Sequence, residues 1–449
     1  MPIRSITIFS LLFSILAIPS LSAQAIKVEI VKKGESWQLL RDGQAYYIKG
    51  AGGKTELKTL VEIGGNSFRT WSADDGLKIL DEAHNLGLTV MMGLWVQHER
   101  HGFDYNNEEA VQKQLDRFTN IVEKLKDHPA LLLWGIGNEV DLNYSNTKVW
   151  NAINDIAKMV HKLDPNHPTT TVTAGLDSLE VDLIKRRAPE IDIYSVNTYG
   201  GLASVCRNIK KFGWTGPYLI TEWGPNGHWE VAKTEWGVPI EQTSSEKAES
   251  YFTRYNQSIE MDKTHCLGSY VFLWGHKQET TATWYGLFSK GGEKSEAVNK
   301  LEELWTGNKS RNYAPIVDSV VLNGQKLGED IYLKATAINQ AKIYLKDPDG
   351  DRLKISWRII NESTKTREGG DAEAEPEAET GLILSSPKNS VKFRTPKKEG
   401  AYRLFVFVYD GEDHYSYANI PFYALPYNEK DDQRLLRFKK QSLDSFKEE

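Results

Sequence analysis

Residues 131–140 read LLLWGIGNEV, an apolar run that breaks into Gly-Ile-Gly and ends on an Asn-Glu pair. A strand buried on both faces can be almost wholly apolar, and its end is where a polar group first meets a pocket. Asn138 and Glu139 are therefore placed either at the rim of a sheet or barrel or at the start of an ordinary loop. The surrounding chain has to choose.

From residue 26 to about residue 310 one theme repeats: a short apolar run, a polar loop, then an amphipathic stretch. A prelude of alternating residues with Gly-Glu and Asp-Gly turns (28–53) begins as hairpin strands. Eight runs follow: YYIKG (46–50), NSFRTW (66–71), LTVMMGLW (88–95), LLLWGIGNE (131–139), TTTVTAG (169–175), IDIYSVNTY (191–199), YLITEW (218–223) and SYVFLW (269–274). Helical spacing lies between them. Leu57, Leu60, Val61 and Ile63 share one side of 55–64, and Val111, Leu115, Phe118, Ile121, Val122 and Leu125 form one stripe of 108–128. The stretch 74–87 stops on Gly87. Eight strands alternating with helices predict a (β/α)8 TIM barrel. A doubly wound open sheet would want a Gly-rich phosphate turn after its first strand, and GAGGKTELK (50–58) lacks that spacing.

In such a barrel, function lies at the C-terminal ends of the strands. Read in order, these ends carry Arg69 and Trp71, then Trp95 and His98, then Asn138 and Glu139, then Asn197 and Tyr199, then Glu222 and Trp223, then Trp274. Two glutamates thus stand across the mouth from each other, on strands four and seven. Paired carboxylates among aromatics suit glycoside hydrolysis: one protonates the leaving oxygen while the other attacks the sugar or activates water. Indoles stack on a sugar's apolar face, and amides and Arg bind its hydroxyls.

The motifs WGIGNEV and YLITEWG, together with FRTW, SVNTYG and VFLW, resemble clan A of the glycoside hydrolases over roughly residues 26–306. That resemblance implies a retaining enzyme working by double displacement, with Glu139 as general acid/base and Glu222 as nucleophile. It also implies that Asn138 holds the sugar 2-hydroxyl, that Arg69 and Tyr199 hydrogen-bond Glu222, and that Trp274 floors the central subsite. Many clan members carry His where Asn197 stands, which leaves its role open. A barrel with one trailing immunoglobulin-like module is similar to the bacterial endo-β-1,3-glucanases of glycoside hydrolase family 158. The expected activity is hydrolysis of laminarin-type β-1,3-glucan. The alternatives are a β-1,3-glucanosyltransferase, a β-mannanase, an exo-β-glycosidase or, in a different class, a non-catalytic glycan-binding protein.

Other candidates are weaker. HERH (98–101) lacks the histidine spacing of a zinc-protease helix, and His98 is read as a subsite contact. Glu235 repeats the Thr-Glu-Trp-Gly pattern but falls in the loop after strand seven, where Trp229 and Trp236 either line the cleft or pin the loop. Cys206 and Cys266 are read as two buried free thiols at opposite ends of the barrel. No metal or cofactor is expected.

The helical rhythm stops near residue 310. Residues 311–426 give short alternating strands separated by Pro, Gly and Asp turns, a β-sandwich pattern similar to immunoglobulin-like modules. DPDGDRLKISW (347–357) reads as a plain turn rather than a calcium loop, and the acidic stretch 366–381 reads as solvated. The module is expected to pack beside the barrel. Residues 427–449 form a charged tail.

The N-terminus has Arg4, an apolar stretch from Ile6 to Ile18 and small residues up to Ala23, the layout of a secretory signal over 1–23. The mature chain from residue 24 is expected to be exported, without a membrane span. A net charge of −6 over 449 residues argues against a nucleic-acid partner. A monomer acting on a polysaccharide or oligosaccharide is the expected state.

Overall fold

The computed structural model describes residues 24–363 and 369–428. The proposed signal segment and residues 429–449 of the proposed tail lie outside them. Among the described residues no helix is long and apolar enough to cross a membrane.

Eight parallel strands close into a barrel in sequential order. Strands one to eight are Ile48–Gly52, Ser67–Arg69, Thr89–Leu94, Leu131–Ile136, Thr169–Ala174, Ile193–Asn197, Tyr218–Trp223 and Cys266–Val271. Each falls within or overlaps one of the eight apolar runs. All six residues of strand four are buried, which is why that stretch is apolar without alternation. The Trp134 indole donates to Asp164 Oδ2 at 2.8 Å, so the largest side chain of the strand is buried with its N–H satisfied.

The barrel is filled rather than hollow. Met91, Leu133, Val172, Leu219 and Tyr270 belong to one buried cluster that extends to Val28 and Leu39. The latter two come from an antiparallel meander, Val28–Lys33, Ser36–Arg41 and Gln44–Ala45. Val28 N bonds Asn166 O at 2.8 Å, Trp37 N bonds Thr264 O at 2.7 Å, and Arg41 reaches Pro129 O at 2.9 Å. Those three acceptors precede strands five, eight and four, so the meander closes the N-terminal end of the barrel and leaves the opposite end open.

The outer helices bury the faces their periodicity marks. Helix Glu108–Leu125 buries Phe118, Val122 and Leu125, and its N-cap Asn107 accepts from Ala110 N. Helix Ser244–Arg254 starts with a capping box between Thr243 and Glu246.

Residues 316–424 form two sheets. One holds Ile316–Leu322, Gln325–Lys326, Ile338–Lys346, Ile383–Ser385 and Ser390–Arg394. The other holds Tyr332–Leu333, Lys354–Asn361, Gly400–Tyr409 and Tyr415–Ala424. Val320, Ile343 and Phe393 from the first share one core with Trp357, Leu404 and Ile420 from the second, which makes the unit a sandwich.

The sandwich is fastened to the barrel by a buried polar network. Lys247 Nζ lies 2.5 Å from Glu241 Oε1 and 2.7 Å from Thr283 O, while Asn419 of the sandwich donates to Glu241 Oε2 at 2.7 Å. Arg403 of the sandwich donates to Pro239 O at 2.9 Å. Trp236 packs on Tyr332 and Tyr423 of the sandwich, so it pins its loop.

Two sequence expectations are corrected here. Cys206 is only partly buried, and it lies at the same end of the barrel as Cys266, both thiols being close to the Asp262 carboxylate. Helix Leu202–Lys211 runs back toward the end where strand eight begins, which brings the two together. The acidic stretch is not simply solvated either. Asp371 lies 3.0 Å from both Arg100 and His101, Glu373 accepts from Thr280 N at 2.8 Å, and Glu375 pairs with Lys290 at 2.8 Å. Cations and free N–H groups at the barrel mouth draw this stretch onto it, a long-range pairing that local composition does not report.

Candidate active site

Strand four ends by turning sharply. Gly137 has φ 78°, and a Cβ there would lie 3.2 Å from Val140 Cγ1. Glu139 follows at φ 51°, a left-handed conformation uncommon for a residue with a side chain. Its N–H still bonds Val172 O of strand five at 2.9 Å, so the bend is held by the barrel.

The turn opens into a cavity of about 690 Å³ at the C-terminal end of the strands, lined by Asn138, Glu139, Asn197, Tyr199 and Glu222. Arg69 lies beneath, fully enclosed, and donates to Asn138 Oδ1 at 2.8 Å, Asn197 Oδ1 at 3.2 Å, Thr221 O at 3.0 Å and Glu222 Oε1 at 3.4 Å. Trp71 Nε1 donates to the same Glu222 oxygen at 2.9 Å, and Tyr199 OH donates to Oε2 at 3.1 Å. Three side chains thus donate to the two Glu222 oxygens and fix the direction in which that carboxyl faces the cavity.

Glu139 has the opposite surroundings. Burial first, and then the nearby charge of Glu222, push its carboxyl up to about 8, while the Asn197 hydrogen bond and Arg69 pull the other way. Asn197 Nδ2 donates to Glu139 Oε1 at 2.9 Å and Asn138 Oδ1 at 3.1 Å, and its oxygen accepts from Thr221 at 2.8 Å. It bridges the two carboxylate environments. The site therefore pairs one carboxyl gripped by three donors with one that burial keeps protonated near neutrality, an arrangement suited to a nucleophile beside an acid.

Trp71 and Trp95 line the cavity as expected, and Trp229 joins them, edge-on to Tyr199. Three expected contacts do not reach it. His98 is buried behind Asn138, with Nε2 2.6 Å from that residue's carbonyl oxygen, and burial lowers its pKa to about 4. It braces the backbone of the Asn-Glu pair and does not line the cavity. Trp223 points the other way from Glu222, because successive strand residues face opposite sides, and it packs on Tyr251 and Tyr255. Trp274 lies past the cavity, packed on Phe288 with its indole donating to Glu56 O at 3.2 Å. Phe272 and Leu273 line the cavity in its place. Glu235 accepts from Tyr332 of the sandwich at 2.9 Å, away from the cavity.

Several lining groups escaped the sequence. Lys277 and Glu279 form a pair at 2.7 Å on the loop after strand eight. Burial, with help from the Glu222 and Glu373 charges, raises the Glu279 pKa, and Lys277 opposes that rise. Glu230 accepts from Gly200 N at 2.8 Å and Gly227 N at 2.7 Å, tying the loops after strands six and seven together. Gly369, Gly370 and Asp371 of the sandwich complete one wall. None of these sits at a strand end, so no strand-end rule could find them; the Lys-x-Glu spacing of Lys277 and Glu279 was the one local hint. Among the described residues no group of three or more His, Cys, Asp or Glu is placed to hold a metal.

Residues 65–227 match the family described as glycosyl hydrolases family 2, TIM barrel domain. A β-glucuronidase of Paenibacillus borealis is 24% identical over 321 residues, which cover 61% of this chain and 51% of that protein. A β-glucuronidase of Sus scrofa is 24% identical over 182 residues, covering 38% and 23% respectively. The chain thus spans about half or less of the length of these curated relatives. The solved β-D-glucuronidase of Dictyoglomus thermophilum superposes with a TM-score of 0.48 at 19% identity, covering 63% of this chain and 54% of that one. The barrel is thus similar in sequence to glycoside hydrolase barrels, and the comparisons bring no support to the endo-β-1,3-glucanase expectation.

Proposed function

We propose that the protein is a retaining β-glycosidase that removes sugars from chain ends or small glycosides. The observation that carries this reading is the split between two carboxyl groups on one cavity: Glu222 under three donors, Glu139 raised to about 8.

In the proposed cycle Glu222 attacks the anomeric carbon while Glu139 gives its proton to the departing oxygen, leaving a glycosyl ester on Glu222. Glu139, now a carboxylate, takes a proton from water, and that water cleaves the ester. Asn138, oriented by Arg69 and Asn197, is placed to bind a sugar hydroxyl beside the reacting carbon. Trp71, Trp95 and Trp229 offer faces for stacking.

Exo attack is favoured over the endo-glucanase alternative by two considerations. Gly369, Gly370 and Asp371 stand as a wall on one side of the cavity, which supports a site that takes a chain end. The curated relatives are named as β-glucuronidases, enzymes named for releasing a single sugar unit, which supports attack at a chain end without fixing the sugar. An exported location, from the leader-like residues 1–23, belongs to the same proposal.

Trapping tests the reading directly. A 2-deoxy-2-fluoro glycoside with a good leaving group should add one glycosyl mass to the intact protein, and peptide mapping should place it on Glu222. Labelling of a different carboxylate, or wild-type turnover by Glu222→Ala, would sink the assignment. Product profiles on laminarin over time separate exo from endo attack, since early appearance of long oligosaccharides would restore the endo reading.

A further inference from the structure

A carboxylate drawn into an enclosed site needs a cation or several free donors, because burying it unpaired is costly. Among the described residues lining the cavity, Lys277 is the one lysine or arginine. It is already engaged: Nζ donates to Glu279 Oε2 at 2.7 Å and to Gly370 O at 2.7 Å. Glu279 is buried and Lys277 partly so, with side-chain exposures of 7% and 25%. Arg69, below the floor, is spread over four acceptors, and Arg100 faces Asp371. The His228 ring on the wall has its pKa lowered by burial, which disfavours its charged form. On the acidic side the wall carries Glu139, Glu222, Glu230, Glu279 and Asp371.

We propose that this site accepts an uncharged β-linked sugar and excludes uronic acids, with the Lys277–Glu279 pair as the specificity-determining element. The inference rests on the glycosidase reading and deepens it. Glu279 acts against a uronate by occupying the lysine that would otherwise receive the carboxylate, so that an entering carboxylate finds no free cation on this wall. A hydroxymethyl group in the same position brings no charge and needs no such partner.

Calorimetric titration of the full chain with isofagomine and with its C6-carboxylate form measures this without turnover. The wild-type protein should bind the neutral compound at least about ten-fold more tightly. Glu279→Gln frees Lys277 and should shift the ratio toward the uronic compound by about ten-fold or more. Lys277→Met, which leaves Glu279 unopposed, should widen the gap in the other direction. Tighter binding of the uronic form by the wild type overturns the inference and leaves the glycosidase reading standing. An unchanged ratio in both variants removes the pair as determinant. Binding of neither compound, with no release from 4-nitrophenyl β-glucoside or β-glucuronide, overturns the glycosidase reading and the inference with it.

Discussion

Glu139 sits in a left-handed backbone conformation, one residue past Asn138 and two past a glycine that is also left-handed. Such strain persists only where surrounding contacts impose it, here the bond to Val172 O and the His98 contact under Asn138. The consequence is a carboxyl turned into an enclosed cavity, and a pH dependence follows. Its acid form is the active one in the first step, so kcat/KM should be sustained below about pH 8 and fall as pH rises through that value. Asn197 stabilises the ionised form, so Asn197→Ala should move this limb to higher pH; a limb that moves down would contradict the contact at 2.9 Å. A pH–rate profile of both proteins decides it. Glu139 was visible from its strand-end position and its partner, whereas the inversion of roles between Trp274 and Phe272 was not. Which side a residue faces just beyond a strand depends on how the chain leaves the barrel.

At the scale of elements, strand four shows what an all-apolar run is for. Its six residues are enclosed between the filled interior and the helices outside. Trp134→Ala would leave a large cavity and take one donor from Asp164, whose carboxylate keeps its contacts with His167 Nδ1 and Asn166 N. A loss of about 3–5 kcal/mol in urea unfolding is expected, and a loss below about 1 kcal/mol would mean that the site collapses freely. The same enclosure explains why periodicity located this strand but could not say which of its side chains face inward. Trp223 and Glu222 make the contrast plain: adjacent in sequence, opposite in space, one packed among tyrosines and one held by Arg69, Trp71 and Tyr199.

For the whole molecule the sandwich is part of the working structure. Lys247 is buried at the junction with Glu241, under Tyr417 and Asn419 of the sandwich. Removing one member of a buried pair leaves an uncompensated charge, so Lys247→Met should destabilise the chain by about 3–5 kcal/mol. Replacing both, with Glu241→Leu added, should recover much of that loss in thermal or chemical unfolding. No recovery would show that the remaining partners of Glu241 carry the junction. The sequence by itself determined the eight-stranded barrel, the sandwich pattern and the two glutamates, because strand and helix periods are local and strand ends in a barrel converge. Only the tertiary structure decided that the acidic stretch meets Arg100, that Lys277 is taken by Glu279, and that His98, Trp223 and Trp274 stand outside the cavity. These depend on which surfaces distant segments bring together, and on which face of the backbone each side chain leaves. Neither is written in the spacing of residues along the chain.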